Sequence, residues 1–323
     1  ITDSTEHRNE VIFAIKSESR ARLDAMLALA ESEHPLSDAG DRWDEDPWLL
    51  GVANGVIDLR TGRLRPGRAE DAITLAAGTD FDPKAVAPRF VRFLSEIFED
   101  NQELIAFVRR AVGYSLTGLT SEQCFFLLYG RGSNGKSVLL NILLALLGDY
   151  GYAAPFSTFE HTRSSSIPND VAQLAGRRLV VASETNEGAR LNEARIKQLT
   201  GGEPQTARFL NHEYFTFTPR ASIFLAANHR PQVRDDSHGF WRRVRPVSFG
   251  RQFGAADIDP HLTEKLLAEL PGILSWAIEG CLEWQKEGLS PPAEVTAAVA
   301  DYQADSDPLA EFLAECCLQG SGV

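Results

Sequence analysis

Apolar residues near the start of the chain recur at helical spacing, at Val11, Ile15, Leu23, Met26, Leu27 and Leu29, which predicts a helical stretch there. A turn-rich segment follows, in which residues 54–64 predict a short hairpin turning at Thr61 and Gly62. Pro88 suits the first position of a helix with Phe90, Phe93, Leu94, Ile97 and Phe98 on its apolar side. A further helix carries Leu104, Ile105, Phe107, Val108 and Val112 and is expected to end near Gly113. The pattern then changes. Residues 124–129, 178–182 and 222–227 hold apolar runs of strand length without alternation, the mark of strands buried on both faces. Between them, helices are predicted over 138–147, rich in leucine, and 192–200, and a hairpin over 205–218. From about residue 253 the chain reads as helices interrupted at Pro271 and at Pro291 and Pro292. Three regions result: a mainly helical domain with a β element at 1–118, an α/β core at 119–252 and a helical segment at 253–323.

Composition adds bounds to this picture. The 323 residues suffice for one large domain or two ordinary ones. A hydrophobic content of 43% with 24% charged residues is that of a globular chain, and no apolar run approaches the roughly 20 residues of a membrane span. Residues 1–10 are polar and hold no signal-peptide core. Cys124, Cys281, Cys316 and Cys317 lack metal-ligand spacing, so reduced structural cysteines are expected, in the cytoplasm of a host cell. A chain beginning with Ile1 is expected to be a piece of a longer protein, with further domains beside it. The net charge of −13 argues against nucleic acid until its distribution is seen. Residues 121–252 carry 16 Lys/Arg against 11 Asp/Glu, whereas residues 253–323 carry 2 against 13. A local basic surface can bind phosphates within an acidic protein, because charges farther apart than about 8 Å are largely screened.

The basic region also holds the densest chemistry. Gly130, Arg131, Gly132, Ser133, Asn134, Gly135, Lys136 and Ser137 form the G-x-x-x-x-G-K-[ST] pattern between a predicted strand and a predicted helix. Its parts have separate tasks. Gly130, Gly132 and Gly135, with Ser133 and Asn134, let successive backbone N–H groups face one concavity that holds phosphate oxygens. The helix opening at Lys136 directs its positive dipole end at the same anion. Lys136 reaches the terminal phosphates of ATP, and the Ser137 hydroxyl is a ligand for Mg²⁺. The strand over 178–182 leads to Ser183 and Glu184, and Glu184 suits the general base that polarises water and helps hold the metal. The strand over 222–227 leads to Asn228, whose amide could orient that water or touch the γ-phosphate. Arg242 and Arg243 follow, and a guanidinium is the fitting group for a γ-phosphate in a neighbouring subunit's site.

This order of motifs resembles superfamily 3 helicases: the P-loop, then residues 180–185, then 196–203, then 225–228. The chain looks most like the helicase portion of phage and plasmid primase–helicases, with the poxvirus primase–helicase more distant. Residues 54–64 resemble the domain that precedes the core in the same family, so the resemblance covers about 45–250. It implies an AAA+-like P-loop ATPase core that forms a hexamer around single-stranded or forked DNA and moves 3′→5′, using ATP and Mg²⁺. It also implies a primase domain or partner. The family's DNA-tracking hairpin would be residues 206–215, turning near Asn211 and His212, and Lys197, Arg208, Asn211 and His212 are the expected DNA contacts. Relatives usually carry Lys near the tip, where this chain has His212 beside Glu213, and many carry two acids where Ser183 precedes Glu184. No primase site is evident, since Asp41, Asp44 and Asp46 read as an acidic loop. A ring that holds DNA without unwinding it and a small-molecule kinase are the rival readings.

Overall fold

The structure, a computed structural model, describes residues 4–34, 36–37, 40, 42–161, 169–184, 188–235, 237–257 and 259–307. It divides into two compact units, residues 1–45 and 46–323. Cys316 and Cys317 lie outside the described residues.

The first unit contains two helices, α1 (Ser4–Ser17) and α2 (Arg20–Ala30), where the apolar spacing suggested one helical stretch. The break is chemical. Ser19 holds an extended conformation at the N-cap of α2, and its hydroxyl donates to the Lys16 carbonyl at 2.7 Å, closing α1. Val11, Ile15, Leu23, Met26, Leu27 and Leu29 are all exposed within the unit, so their spacing marks helices and not a buried face.

The second unit opens with an antiparallel sheet of β1 (Leu49–Val52), β2 (Gly55–Asp58) and β3 (Arg63–Arg65). The hairpin read over 54–64 is β2–β3, and β1 extends it through a turn at Ala53 and Asn54. The Asn54 amide fixes that turn by exchanging two hydrogen bonds with the Phe81 backbone, at 2.9 and 3.1 Å. Helix α3 (Pro88–Ile97) begins at its proline as expected, and α4 (Gln102–Ser115) is N-capped by Asn101, whose side chain accepts from the Leu104 N–H.

A five-stranded parallel sheet forms the centre. In chain order the elements are β4 (Phe125–Tyr129), α5 (Lys136–Leu147), β5 (Gly151–Ala153), α6 (Asn169–Ala172), β6 (Leu179–Ser183) and α7 (Glu193–Gly201). A small hairpin of β7 (Gln205–Ala207) and β8 (Phe215–Phe217) follows, then β9 (Ser222–Ala227), α8 (His238–Trp241) and β10 (Val244–Ser248). The strand order is β10-β4-β9-β6-β5. Phe126 and Leu128 enter one core with residues of α4 and α5, whereas Phe125 and Leu127 enter a second with residues of α7 and α8. Burial on both faces is why β4, β6 and β9 read as unbroken apolar runs. The edge strands β5 and β10 carry no such signal: β5 has three residues, and β10 carries Pro246, which the sheet tolerates at an edge.

The chain closes on α9 (Leu262–Leu267), α10 (Leu270–Glu287) and α11 (Ala293–Asp305). The helical run breaks just before Pro271 as expected, between α9 and α10. The proline lies in the first turn of α10, where a missing N–H costs nothing. Residues 118 and 252 both fall inside the second unit. The ties across them are specific: Trp48 stacks on Trp284 with ring centroids 6.2 Å apart, and the buried Arg178 donates to the Leu116 and Leu49 carbonyls at 2.8 and 2.7 Å. Among the described residues no helix is long and apolar enough to cross a membrane.

Candidate active site

All five strands of the central sheet run parallel, so their carboxyl ends share one rim. After β4 the chain goes to the far edge at β5, returns through β6 and β9, and then crosses to β10 on the other side of β4. The loop after β4 therefore lies where the strand order reverses, which is where open α/β sheets hold ligands. The register places Tyr129 beside Ala227 and Ser183 beside Ala226, and the Glu184 N–H donates to the Ala226 carbonyl at 2.8 Å. The loop 130–135, Glu184 and Asn228 thus leave three successive neighbouring strands at one level.

The loop has the geometry its glycines predict. Gly130 has φ of 144°, and a Cβ there would lie 2.4 Å from the Phe249 carbonyl oxygen. Gly135 has φ of 89°, and a Cβ there would meet Ile97 of α3 at 2.6 Å. Gly132 differs, with nothing within 4 Å of its Cβ position, so packing does not demand it. Ser133 takes a left-handed φ of 60° and accepts from the Phe253 N–H at 2.8 Å. Among the described residues, the N–H groups of residues 131–135 have no hydrogen-bond acceptor, and they precede the N-terminus of the twelve-residue α5. Lys136 is buried, and its ammonium donates to the Gly130 carbonyl and to Asn134 Oδ1 at 3.1 Å. Burial pushes the Lys136 pKa down from the usual lysine range. Asn134, also buried, donates through Nδ2 to the Phe249 carbonyl at 3.4 Å, tying the loop to the end of β10.

Beside the loop is a cavity of about 470 Å³ lined by Ser137, Asn141, Glu160, Ser183 and Glu184, among others. It brings together Ser137 and Glu184, the two residues expected to serve a metal. Among the described residues no group of three His, Cys, Asp or Glu could hold a metal ion alone. A hydroxyl and one carboxylate nevertheless fit Mg²⁺, which keeps waters and takes its remaining oxygens from substrate phosphates. The unpaired N–H row, the buried ammonium and these two oxygen donors are a fitting set for a metal-bound triphosphate.

The arginines separate. Arg243 is buried, donating through Nε to Thr200 Oγ1 at 3.2 Å and through Nη1 to the Gly239 carbonyl, and burial lowers its pKa. Arg242 is exposed and holds Gln123 Oε1 at 2.6 Å. Asn228 is exposed at the rim. Lys197 forms an ion pair with Asp235 at 2.7 Å, and Arg208, Asn211 and His212 are exposed on the β7–β8 hairpin loop. Two neighbours of the site escaped the sequence reading. Glu160 lines the cavity from a segment with no motif. Arg230, two residues past Asn228, stacks over Tyr129 at 4.9 Å and pairs with Asp305 of α11 at 2.8 Å. The adjacency of Tyr129 to the loop 130–135 was visible in the sequence, but the contacts of Arg230 with Tyr129 and with α11 are long-range.

Comparison with known proteins agrees with this architecture. A family described as D5 N terminal like matches residues 5–99, and a family of unknown function, DUF5906, matches residues 128–243. The mimivirus protein named Putative helicase L207/L206, from Acanthamoeba polyphaga mimivirus, is 28% identical over 84% of this chain and 31% of its own length. The Frog virus 3 protein named Putative helicase 022R is 24% identical over 85% of this chain and 37% of its own. The African swine fever virus protein named Putative primase C962R is 28% identical over 62% of this chain and 22% of its own. The chain thus spans 22% to 37% of the length of these relatives. Among solved structures, the C terminal region of NrS-1 superposes with a TM-score of 0.56 over 72% of this chain and 55% of that one, at 11% identity, a likeness of fold. These matches agree with the resemblance carried by the motifs: residues 5–99 match the D5 N terminal like family, and the chain is similar to viral proteins named as helicases and primases.

Proposed function

We propose that the chain is the ATP-driven DNA helicase portion of a primase–helicase of viral, plasmid or prophage type, with an AAA+-like core of superfamily 3. The observation that carries this reading is the common rim: the loop 130–135, Glu184 and Asn228 end neighbouring strands, and Ser137 and Glu184 share one cavity. The N–H row and the dipole of α5 hold the phosphates of ATP, and the Lys136 ammonium turns from the Gly130 carbonyl to the terminal phosphate oxygens. Ser137 and Glu184 would hold Mg²⁺, which would supply neutralisation of the charge on those oxygens. Glu184 accepts the proton of the attacking water, and Asn228 orients that water.

The exposed Arg242 reaches the γ-phosphate of an adjacent subunit in a homo-oligomeric ring, read as a hexamer, while the buried Arg243 ties Thr200 to the Gly239 carbonyl of α8. The β7–β8 hairpin meets single-stranded or forked DNA in the channel, and movement runs 3′→5′. The primase partner and work in the host cytoplasm complete the reading. Displacement of a labelled strand from forked DNA tests it. The account expects ATP-dependent displacement with a 3′ loading strand and none from Lys136→Ala. ATP hydrolysis with DNA held but never displaced would replace the helicase by a non-unwinding ring.

A further inference from the structure

Between β7 and β8 the chain makes a seven-residue loop, 208–214, that exposes apolar surface it had no local need to expose. Tyr214 is 53% and Leu210 76% exposed. The loop is nonetheless built. Phe209 stacks on Phe215 at 5.5 Å beneath it, the Leu210 N–H donates to Asn169 Oδ1 at 3.2 Å, and the His212 N–H closes a turn on the Phe209 carbonyl at 3.0 Å. Asn211 supplies the left-handed residue, with φ of 62°. The Arg208 guanidinium lies 5.0 Å from the centre of the Tyr214 ring. An arginine on a half-exposed aromatic ring is a platform of defined orientation, and its charge also draws an anionic backbone towards it.

We infer that Tyr214, backed by Arg208, is a stacking platform for an unpaired base of a single nucleic-acid strand, so that this hairpin grips bases as well as phosphates. The inference rests on the proposed helicase function and deepens it. The tip offers His212 and Glu213 in place of a lysine, so the charge available there for a phosphate is small. Base stacking supplies grip that does not depend on that charge, and it tolerates any sequence because every base has a π-face. A duplex hides its base faces, so the platform takes an unpaired strand.

Fluorescence anisotropy with an ordinary oligothymidine and an abasic strand of equal length tests the inference. Wild type should bind the ordinary strand more tightly. Tyr214→Ala should weaken that binding about 5- to 150-fold, the range for one stacked base, and leave the abasic strand unchanged. Tyr214→Phe should restore binding, since the ring and not the hydroxyl is needed, and circular dichroism melts should match among the three proteins. Equal loss on both strands, or no loss on the ordinary one, overturns the platform. Wild type binding both strands equally overturns it while leaving the helicase reading intact, and wild type binding neither removes both.

Discussion

At the residue scale, two adjacent arginines have opposite fates. Arg243 gives its hydrogen bonds to Thr200 and Gly239 inside the protein, so Arg243→Ala leaves buried acceptors unmatched and should cost about 2–3 kcal/mol of stability, read as a lowered melting temperature. Arg242 is exposed, and Arg242→Ala should leave stability within about 0.5 kcal/mol. Its expected effect is on turnover, a loss of roughly 10³-fold with ATP affinity kept. Mixing Arg242→Ala with Lys136→Ala subunits should restore hydrolysis, because intact P-loops then meet intact arginines across an interface. No recovery in verified mixed rings would place the arginine's action in its own subunit. The loop 130–135 with Lys136 and Ser137 was legible because its motif is contiguous, although the contacts that demand Gly130 and Gly135, with Phe249 and Ile97, are long-range. The sequence could not rank the two arginines, because which one turns inward depends on Thr200, 43 residues away.

At the scale of elements, α4 and α10 come close together at glycines. A Cβ on Gly113 would lie 2.1 Å from the Cys281 backbone nitrogen, and one on Gly280 would lie 2.2 Å from the Arg109 carbonyl oxygen. Backbone cannot move aside as a flexible side chain does. Gly113→Ala should therefore lower stability by about 2–3 kcal/mol in denaturant melts, despite alanine's better helix propensity. A neutral or stabilising result would mean that the two helices are not held together as described. Gly113 read from sequence only as a helix end, yet α4 continues through it to Ser115. The same limit explains the strands. The doubly buried β4, β6 and β9 announce themselves by composition, whereas β5 and β10 gain their strand character from the neighbours they pair with.

At the scale of the whole molecule, acidic and basic regions are segregated along the chain, and the basic share falls on the region holding the loop 130–135 and the β7–β8 hairpin. Salt should therefore weaken DNA binding more steeply than the net charge suggests. The proposed completion of the site by a neighbour's arginine would make activity a property of the assembly, so specific activity should fall on dilution as subunits separate.

The account joins nucleotide chemistry at the sheet rim to a nucleic-acid strand at the hairpin, and steady-state ATP hydrolysis with and without single-stranded DNA tests that union most directly. Wild type should hydrolyse ATP faster when the strand is present. Lys136→Ala should show no hydrolysis in either condition, and Glu184→Gln should bind ATP without turning it over. Hydrolysis indifferent to DNA, or normal turnover by a folded Lys136→Ala protein, would contradict the account.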